Sequence, residues 1–533
     1  MHKTAIVYAV GKLMQITGGL LLIPLAISVY DHRQLSIAAI LSVPEVYGGI
    51  IGASLSFVLG TLAVYHFREG KSYQGVREGL AIVTIGWIVL TFFSCMPMFF
   101  WLLTGQDGGP QYSVFRAFTD AYFEIMSGFT TTGATILSDI ERAPDAIHFL
   151  RAMTHWLGGM GIITLAIVVF PGLGVGAYQM FKSEVPGPSK DKLTPRLSQT
   201  TSILWGVYGL FTLIETILLV IGGMTPFDAV CHSFATMATG GFSTEGASIA
   251  AYQSHFIQWV IIVFMYLAGV NFLLHFRALR GDYWTMLRDR EFVFYNLVIG
   301  VAIVVITGVL YFQGLPSVES AADSFRHVDT SAEDFTRHYV EQAGRYDSLY
   351  DTFRIAAFQT LSIVTTTGFS TVDFDLWPDV LRFILIFLMF FGGCAGSTGG
   401  GMKMIRVLVA FKVVMTTIRK RSQPRLVAPV RVGEQVIPDT MVLDIVSFFV
   451  LFTGLFILVA LLMTLFVPDL TTAVSASIAT IGNVGPGLAG VGAIEHYGWI
   501  PIPGKWVLIV SMLLGRLEIF TVLVCLRPAV WRK

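Results

Sequence analysis

The sequence predicts an all-α polytopic membrane protein, with two N-terminal apolar spans followed by four copies of one pattern. Three observations lead there. Of 533 residues, 54% are apolar and 13% charged, about half the charge of an ordinary soluble domain, and the mean hydropathy is +0.70. The apolar residues gather into many runs near the ~20-residue length that spans a bilayer. Finally, a Thr/Gly-rich tetrad recurs four times, each copy between a shorter and a longer apolar segment. Lys+Arg and Asp+Glu balance at 35 each, which excludes a basic nucleic-acid binder, and the apolar runs exclude a disordered chain.

The first two spans fall near residues 5–30 and 36–66. Lys3 ahead of an apolar run resembles a signal peptide, but the run is too long and no small-residue cleavage site follows, so a retained span is expected. A polar segment with Arg68, Lys71 and Arg77 comes next. First spans of the repeats then lie near 80–104, 199–223, 293–313 and 440–467, and second spans near 148–170, 256–278, 380–411 and 505–527. This divides the chain into 1–67, 68–172, 173–280, 281–425 and 426–533, with a polar insert at 314–350 in the third repeat. Within each repeat a segment suited to a short helix precedes the tetrad: Phe115 to Met126, Pro226 to Met237, Leu349 to Val364 and Pro468 to Thr480. None is long enough to cross, so the chain must enter, stop and return. Backbone of that kind survives at membrane depth only when it is buried in protein or lines a water-filled path. Cys95, Cys231, Cys394 and Cys525 are scattered, with no metal-ligand or redox spacing.

The tetrads read Ser127-Gly-Phe-Thr-Thr-Thr-Gly133, Thr236-Met-Ala-Thr-Gly-Gly241, Ser362-Ile-Val-Thr-Thr-Thr-Gly368 and Ser477-Ile-Ala-Thr-Ile-Gly-Asn-Val-Gly485. The anchor glycines are 108, 127 and 117 residues apart. A short helix ending at mid-membrane aims the negative end of its dipole at the centre. Glycine then lets successive carbonyls turn toward one axis, and a ring of such carbonyls replaces the hydration shell of potassium. The candidate filter residues are Thr131, Thr132 and Gly133; Thr239, Gly240 and Gly241; Thr366, Thr367 and Gly368; and Asn483, Val484 and Gly485. A single motif also suits helix packing, but four copies in the same setting do not.

With the N-terminus placed on the cytoplasmic side, cytoplasmic segments hold 24 Lys/Arg and outer segments 10, which is the positive-inside bias. The hairpins then dip from the outer face. Asp139, Glu141, Asp145, Asp373, Asp375 and Asp379 in the outer loops form either a cation-concentrating vestibule or ordinary solvated loop charges.

Taken with His155-Trp-Leu-Gly-Gly-Met-Gly161, Gly392-Gly-Cys-Ala-Gly-Ser-Thr-Gly-Gly-Gly401 and Asn483-Val-Gly-Pro-Gly487, these motifs make the chain resemble the TrkH-like branch of the Trk/Ktr/HKT superfamily from end to end. The resemblance implies four pseudo-symmetric membrane–pore–membrane repeats around one central pore, plus two extra N-terminal transmembrane helices. It implies potassium uptake across a bacterial inner membrane, a homodimer, and a cytoplasmic nucleotide-binding ring as gating partner, so that nucleotide acts on a partner subunit. Family members with serine at the first filter glycine tend toward sodium; glycine at all four positions here favours potassium. No covalent cofactor is implied.

Six of the ten residues from Gly392 to Gly401 are glycine, too many for a stable helix. Gly392, Gly393, Gly396, Ser397, Thr398, Gly399, Gly400 and Gly401 are therefore the candidate gate, a constriction under the third filter, where the family carries an intramembrane gating loop. The alternative is a structural hinge. A phosphate-binding P-loop fails because Met402 separates Gly401 from Lys403. Arg516 lies within the last span, where a charge usually faces a cavity or a partner. It either projects into the pore beside the glycine loop, as the family's arginine does, or pairs with Glu518 or Asp444. Asp120 and Glu124 share a face of the first short helix, shaping the outer mouth or bracing a neighbouring repeat. Glu215, His275 and His155 are further candidates to line a path. The basic stretch from Lys403 to Arg431 suits a positive-inside loop, anionic lipid or the gating ring.

A gated channel and a proton- or sodium-coupled symporter both fit this pattern. A membrane hydrolase using His148, His155 or Ser397 is the reading from another class, but no nucleophile–base–acid spacing supports it, and the chain is expected not to be an enzyme.

Overall fold

A computed structural model describes the chain except residues 73–74, 106–112, 162–196, 318–338, 347, 424, 426–427, 434 and 532–533. The end of the expected 148–170 span, the boundary at 172, the basic residues near 182–196 and much of the 314–350 insert lie outside the described residues.

Among the described residues, six helices are long and apolar enough to cross a membrane: Lys3–Asp31, Pro44–His66, Arg77–Ser94, Thr201–Ile221, Arg290–Gln313 and Asp439–Met463. In all but Arg77–Ser94, most of the apolar window faces outward. Only 22% of the most apolar window, in Asp439–Met463, is buried in protein. An outward apolar surface of this extent needs lipid to cover it. The two N-terminal spans pack through glycine, and a Cβ on Gly60 would lie 2.7 Å from the Gly11 carbonyl oxygen.

The second spans depart from expectation. Instead of one interruption, in repeat 3, three are visible. His255–Ala268 and Phe272–Leu279 meet at 104°, and Ile502–Arg516 and Phe520–Leu526 at 115°. In repeat 3, Asp379–Met389 and Met404–Ser422 flank the glycine-rich run. The first bend is held by Asn271, whose side chain accepts the Leu273 N–H at 2.8 Å and caps the new helix. The second turns on Glu518 and Ile519, both in left-handed backbone at φ 58° and 55°. A β-branched residue there is a genuine outlier.

Four short helices sit inside this frame: Val114–Phe129, Pro226–Met237, Leu349–Val364 and Leu470–Ile481. Each begins at a side-chain cap, from Ser113, Thr225, Ser348 and Asp469, which satisfies one exposed N–H. Each ends the same way. The N–H groups of Thr132, Gly240, Thr367 and Val484 return to the carbonyls of Ser127, Ala235, Ser362 and Ala479 at 2.8–2.9 Å. That closure requires a left-handed residue just before, usually glycine. Here the residue is Thr131, Thr239, Thr366 or Asn483, at φ 50°, 55°, 61° and 54°.

Candidate functional site: a four-strand ring and the loop beneath it

Beyond each helix end the backbone alternates in hand. The left-handed residue is followed by one at negative φ, then by an anchor glycine at φ 79°, 80°, 84° or 97°. Alternation of this kind turns successive carbonyls to the same side of the strand.

The four strands interlock in sequence order. A Cβ on Gly133 would lie 2.1 Å from the Gly240 carbonyl oxygen, one on Gly241 2.0 Å from that of Thr367, one on Gly368 2.1 Å from that of Val484, and one on Gly485 2.4 Å from that of Thr132. Each anchor abuts the carbonyl preceding the next, and the fourth returns to the first. The four anchor glycines and the residues just before them are thus brought together in one ring, and Thr131, Thr239, Thr366 and Asn483 join it to the ends of the four short helices. A single cavity touches all four anchor glycines and forms the mouth above them.

The mouth differs from expectation. Its acidic lining is Glu245 and Glu495, accompanied by Arg151. The six predicted carboxylates are not among its lining residues, and several have other work. Asp139 pairs with Arg142 at 2.6 Å, Asp379 with Arg382 at 3.0 Å, and Glu141 accepts the Gly246 N–H at 2.7 Å. Asp375, in the outer loop after the third tetrad, accepts the Ala489 N–H on both oxygens at 3.0 and 3.1 Å.

Burial above all, and then neighbouring Asp373, raise the Asp375 carboxyl to about 8, outweighing the Ala489 N–H and Arg382. An unfolded aspartate titrates near ~3.9, so between these values the folded chain holds the extra proton. Its contribution is fully present below the lower value and lost as pH rises through the upper one. Asp375→Asn is therefore expected to melt higher than the parent at pH 9, with the gap closing toward pH 5, in thermal unfolding scans at each pH.

Asp120 and Glu124 brace the ring from outside. Asp120 binds buried Lys505 of repeat 4 at 2.6 Å. Glu124 binds buried Arg151 at 2.8 Å and accepts the Ile136 N–H at 2.8 Å, while Arg151 reaches the Ser243 carbonyl of repeat 2 at 3.0 Å. The sequence carries no local signal for Arg151 or Lys505, because their partners come from other segments. His275 is hydrogen-bonded to the Leu267 carbonyl at 2.8 Å, and Glu215 is buried beside Thr236 of the second short helix.

The glycine-rich run crosses the inner side of the ring. Gly392 N–H donates to the Met402 carbonyl at 2.9 Å, pinching the loop at its base. At its tip, Gly400 N–H donates to Thr366 Oγ1 at 2.6 Å and Thr398 Oγ1 to the Met237 carbonyl at 2.9 Å. Both acceptors lie at the ends of short helices. Cys394 N–H donates to the Gly269 carbonyl at 2.8 Å, and the Gly396 carbonyl accepts Phe272 N–H at 3.0 Å. Gly393, Gly399 and Gly401 share these close approaches: a Cβ on any of them would lie within about 3 Å of backbone or of the Ser397 hydroxyl.

Arg516 ends its helix and grips this loop. Nη1 donates to the Thr398 carbonyl at 2.8 Å, and Nη2 to the Gly158 and Gly159 carbonyls of repeat 1 at 2.6 and 3.0 Å. The alternative partners go elsewhere: Glu518 pairs with Arg406 at 2.6 Å, and Asp444 is exposed.

Glu291, which the sequence reading passed over, ties the loop to the base of Arg290–Gln313. Its Oε1 accepts the N–H groups of Ala395 at 2.7 Å and Ile405 at 2.9 Å. Each such hydrogen bond contributes about 0.5–1.5 kcal/mol net, and the substitution removes two. Glu291→Ala is thus expected to lower the amide-exchange protection of 390–405 about tenfold or more, with Glu291→Gln intermediate, in hydrogen-exchange mass spectrometry.

Residues 50–533 match the model of the family described as "TrkH: Cation transport protein". The chain belongs to the TrkH family. This TrkH-family chain is 36% identical over 529 residues to the Trk system potassium uptake protein TrkH of Vibrio parahaemolyticus, covering 97% of this chain and all of that one. It is 37% identical to TrkH of Escherichia coli K12, covering 90% of this chain and 91% of that one. With TrkG of the same strain it shares 32%, covering 89% and 90%. The crystal structure of the potassium transporter TrkH from Vibrio parahaemolyticus superposes with a TM-score of 0.80 at 34% identity, covering both chains completely.

Proposed function

We propose that this chain carries potassium into the cell across a bacterial inner membrane, through the ring formed by the four tetrads, with residues 392–401 and Arg516 as its gate. The observation that carries the reading is the cyclic abutment of Gly133, Gly241, Gly368 and Gly485 on the carbonyls of Gly240, Thr367, Val484 and Thr132. Backbone oxygens so held stand in for lost hydration water. The relatives named as potassium uptake proteins support the choice of ion.

The gate reading is supported by contacts from all four repeats: Gly158 and Gly159, Met237, Thr366, and Arg516 itself. The Lys/Arg bias supports a cytoplasmic N-terminus. Basic residues from Lys403 to Arg431 offer a surface for anionic lipid or for a nucleotide-binding ring, and the Trk-system names of the relatives fit assembly with such a subunit and a homodimeric state. Nucleotide then acts on the partner and not on this chain.

The test is rubidium uptake and low-potassium growth in cells lacking their own uptake systems, together with currents from the reconstituted chain. Potassium-selective uptake is expected, with reversal potentials that follow the potassium gradient alone for a channel. A shift with the proton or sodium gradient marks coupled symport, and absence of any alkali-ion flux overturns the reading.

A further inference from the structure

We infer that His155 is a positioning residue for the second filter strand, its ring filling the room behind Gly240 and holding that residue's carbonyl in the ring of four. The inference rests on the filter reading above.

The residue just before the anchor glycine is Thr132, Thr367 or Val484 in three repeats, each fully buried, and Gly240 in the second. Conformation does not explain the exception. Gly240 is not left-handed, so its backbone accepts a side chain. What forbids one is the His155 ring, because a Cβ on Gly240 would lie 2.4 Å from both Cγ and Nδ1 of the imidazole.

The exchange of bulk is reciprocal. His155 lies three residues before Gly158, which packs on Phe129 of its own repeat; Met512 lies three before Gly515, which packs likewise on Ile481. His155 also lies four residues before Gly159, which packs on Ala238 of the next repeat, just as Met265 lies four before Gly269, which packs on Thr365. Met265 and Met512 are both fully buried. The corresponding helix position thus carries a flexible thioether where the next strand has its own side chain, and a rigid flat ring where that strand has none.

The imidazole is held for its shape. It is fully buried, and among the described residues neither ring nitrogen has a hydrogen-bond partner, a costly state for a polar group. Its contacts are faces: it stacks on Phe242, the residue after the anchor Gly241, with centroids 4.1 Å apart and planes at 17°. The guanidinium of Arg151, one helical turn earlier, also lies over Phe242 at 4.2 Å and is itself fixed by Glu124. The chain Glu124–Arg151–Phe242–His155–Gly240 thus runs from the first short helix to a carbonyl of the ring. Without the imidazole, Gly240 has free space behind it.

The test is a double-mutant cycle read as potassium and sodium uptake in reconstituted vesicles, with elution profile as the folding control. Gly240→Ala is expected to lower potassium uptake about tenfold or more by overpacking, and Gly240→Ala with His155→Ala to recover most of it, since the two changes share one space. His155→Ala alone is expected to lower the potassium-to-sodium uptake ratio about threefold or more, while His155→Phe, which keeps a flat ring, retains the ratio. The inference is overturned if Gly240→Ala transports normally, if the double variant is no better than the single, or if His155→Ala lowers both ions in proportion. Loss of potassium preference in Gly368→Ser with indifference to the His155–Gly240 pair overturns this inference alone. Indifference to Gly368→Ser as well overturns the filter reading beneath it.

Discussion

A Gly368→Ser chain is expected to lose about tenfold or more of its preference for potassium over sodium, because side-chain strain of about 1–3 kcal/mol falls directly on the ring. Two causes add at this position. The backbone is left-handed, at φ 84°, and a Cβ would lie 2.1 Å from the Val484 carbonyl oxygen and 2.8 Å from Pro486 Cδ. Neither neighbour is a flexible side-chain end, so the third strand or the fourth must shift. Spacing set for potassium is then lost on one side, and sodium, which needs closer ligands, is no longer excluded. Gly133→Ser acts in the same direction through the Gly240 carbonyl. Competition of sodium against rubidium uptake measures the effect; an unchanged ratio in both variants refutes the ring as the selective element.

Arg516→Ala is expected to raise basal uptake about tenfold, since hydrogen bonds from a charged donor are worth about 1.5–3 kcal/mol each and three are removed. The guanidinium joins Thr398 in the loop to Gly158 and Gly159 in repeat 1, acting as a latch as well as a positive charge under the ring. Arg516→Lys separates the two roles. It keeps the charge but presents a compact ammonium in place of a planar fork, so it cannot span the same carbonyls. Uptake near the parent level in Arg516→Lys assigns the effect to charge, and uptake near that of Arg516→Ala assigns it to the latch. A loss of uptake in Arg516→Ala, with normal expression, contradicts both.

Much of the architecture was legible because its signals are local. Four Thr/Gly tetrads, each behind a segment too short to cross, mark hairpins without any tertiary information, and the glycine run at 392–401 cannot be helical. The bends near Asn271 and at Glu518–Ile519 were not legible. Neither has a run of glycine or a proline to announce it, and the second is held in part by Arg406, more than a hundred positions away. Propensity also assigns left-handed backbone to glycine, so the placement of Thr131, Thr239 and Thr366 there runs against local expectation. It follows from the helix closure that all four hairpins share. The outer carboxylates suggested a charged funnel, yet most serve as caps and ion-pair partners, which only the packing reveals. Glu291, Arg151 and Lys505 escaped notice for the same reason: each is defined by a distant partner.

The closed order of the four strands has an evolutionary corollary. In an assembly of identical subunits, every substitution near the axis is copied around it, so a tolerated change must be tolerated four times over. A single polypeptide carrying all four quarters escapes that rule. Each quarter can drift separately, provided it still fits the one neighbour whose oxygen it touches, and a swap such as bulky imidazole for absent side chain can be confined to one joint. Asymmetry of that sort is open to a gene-fused ring and closed to a homotetramer.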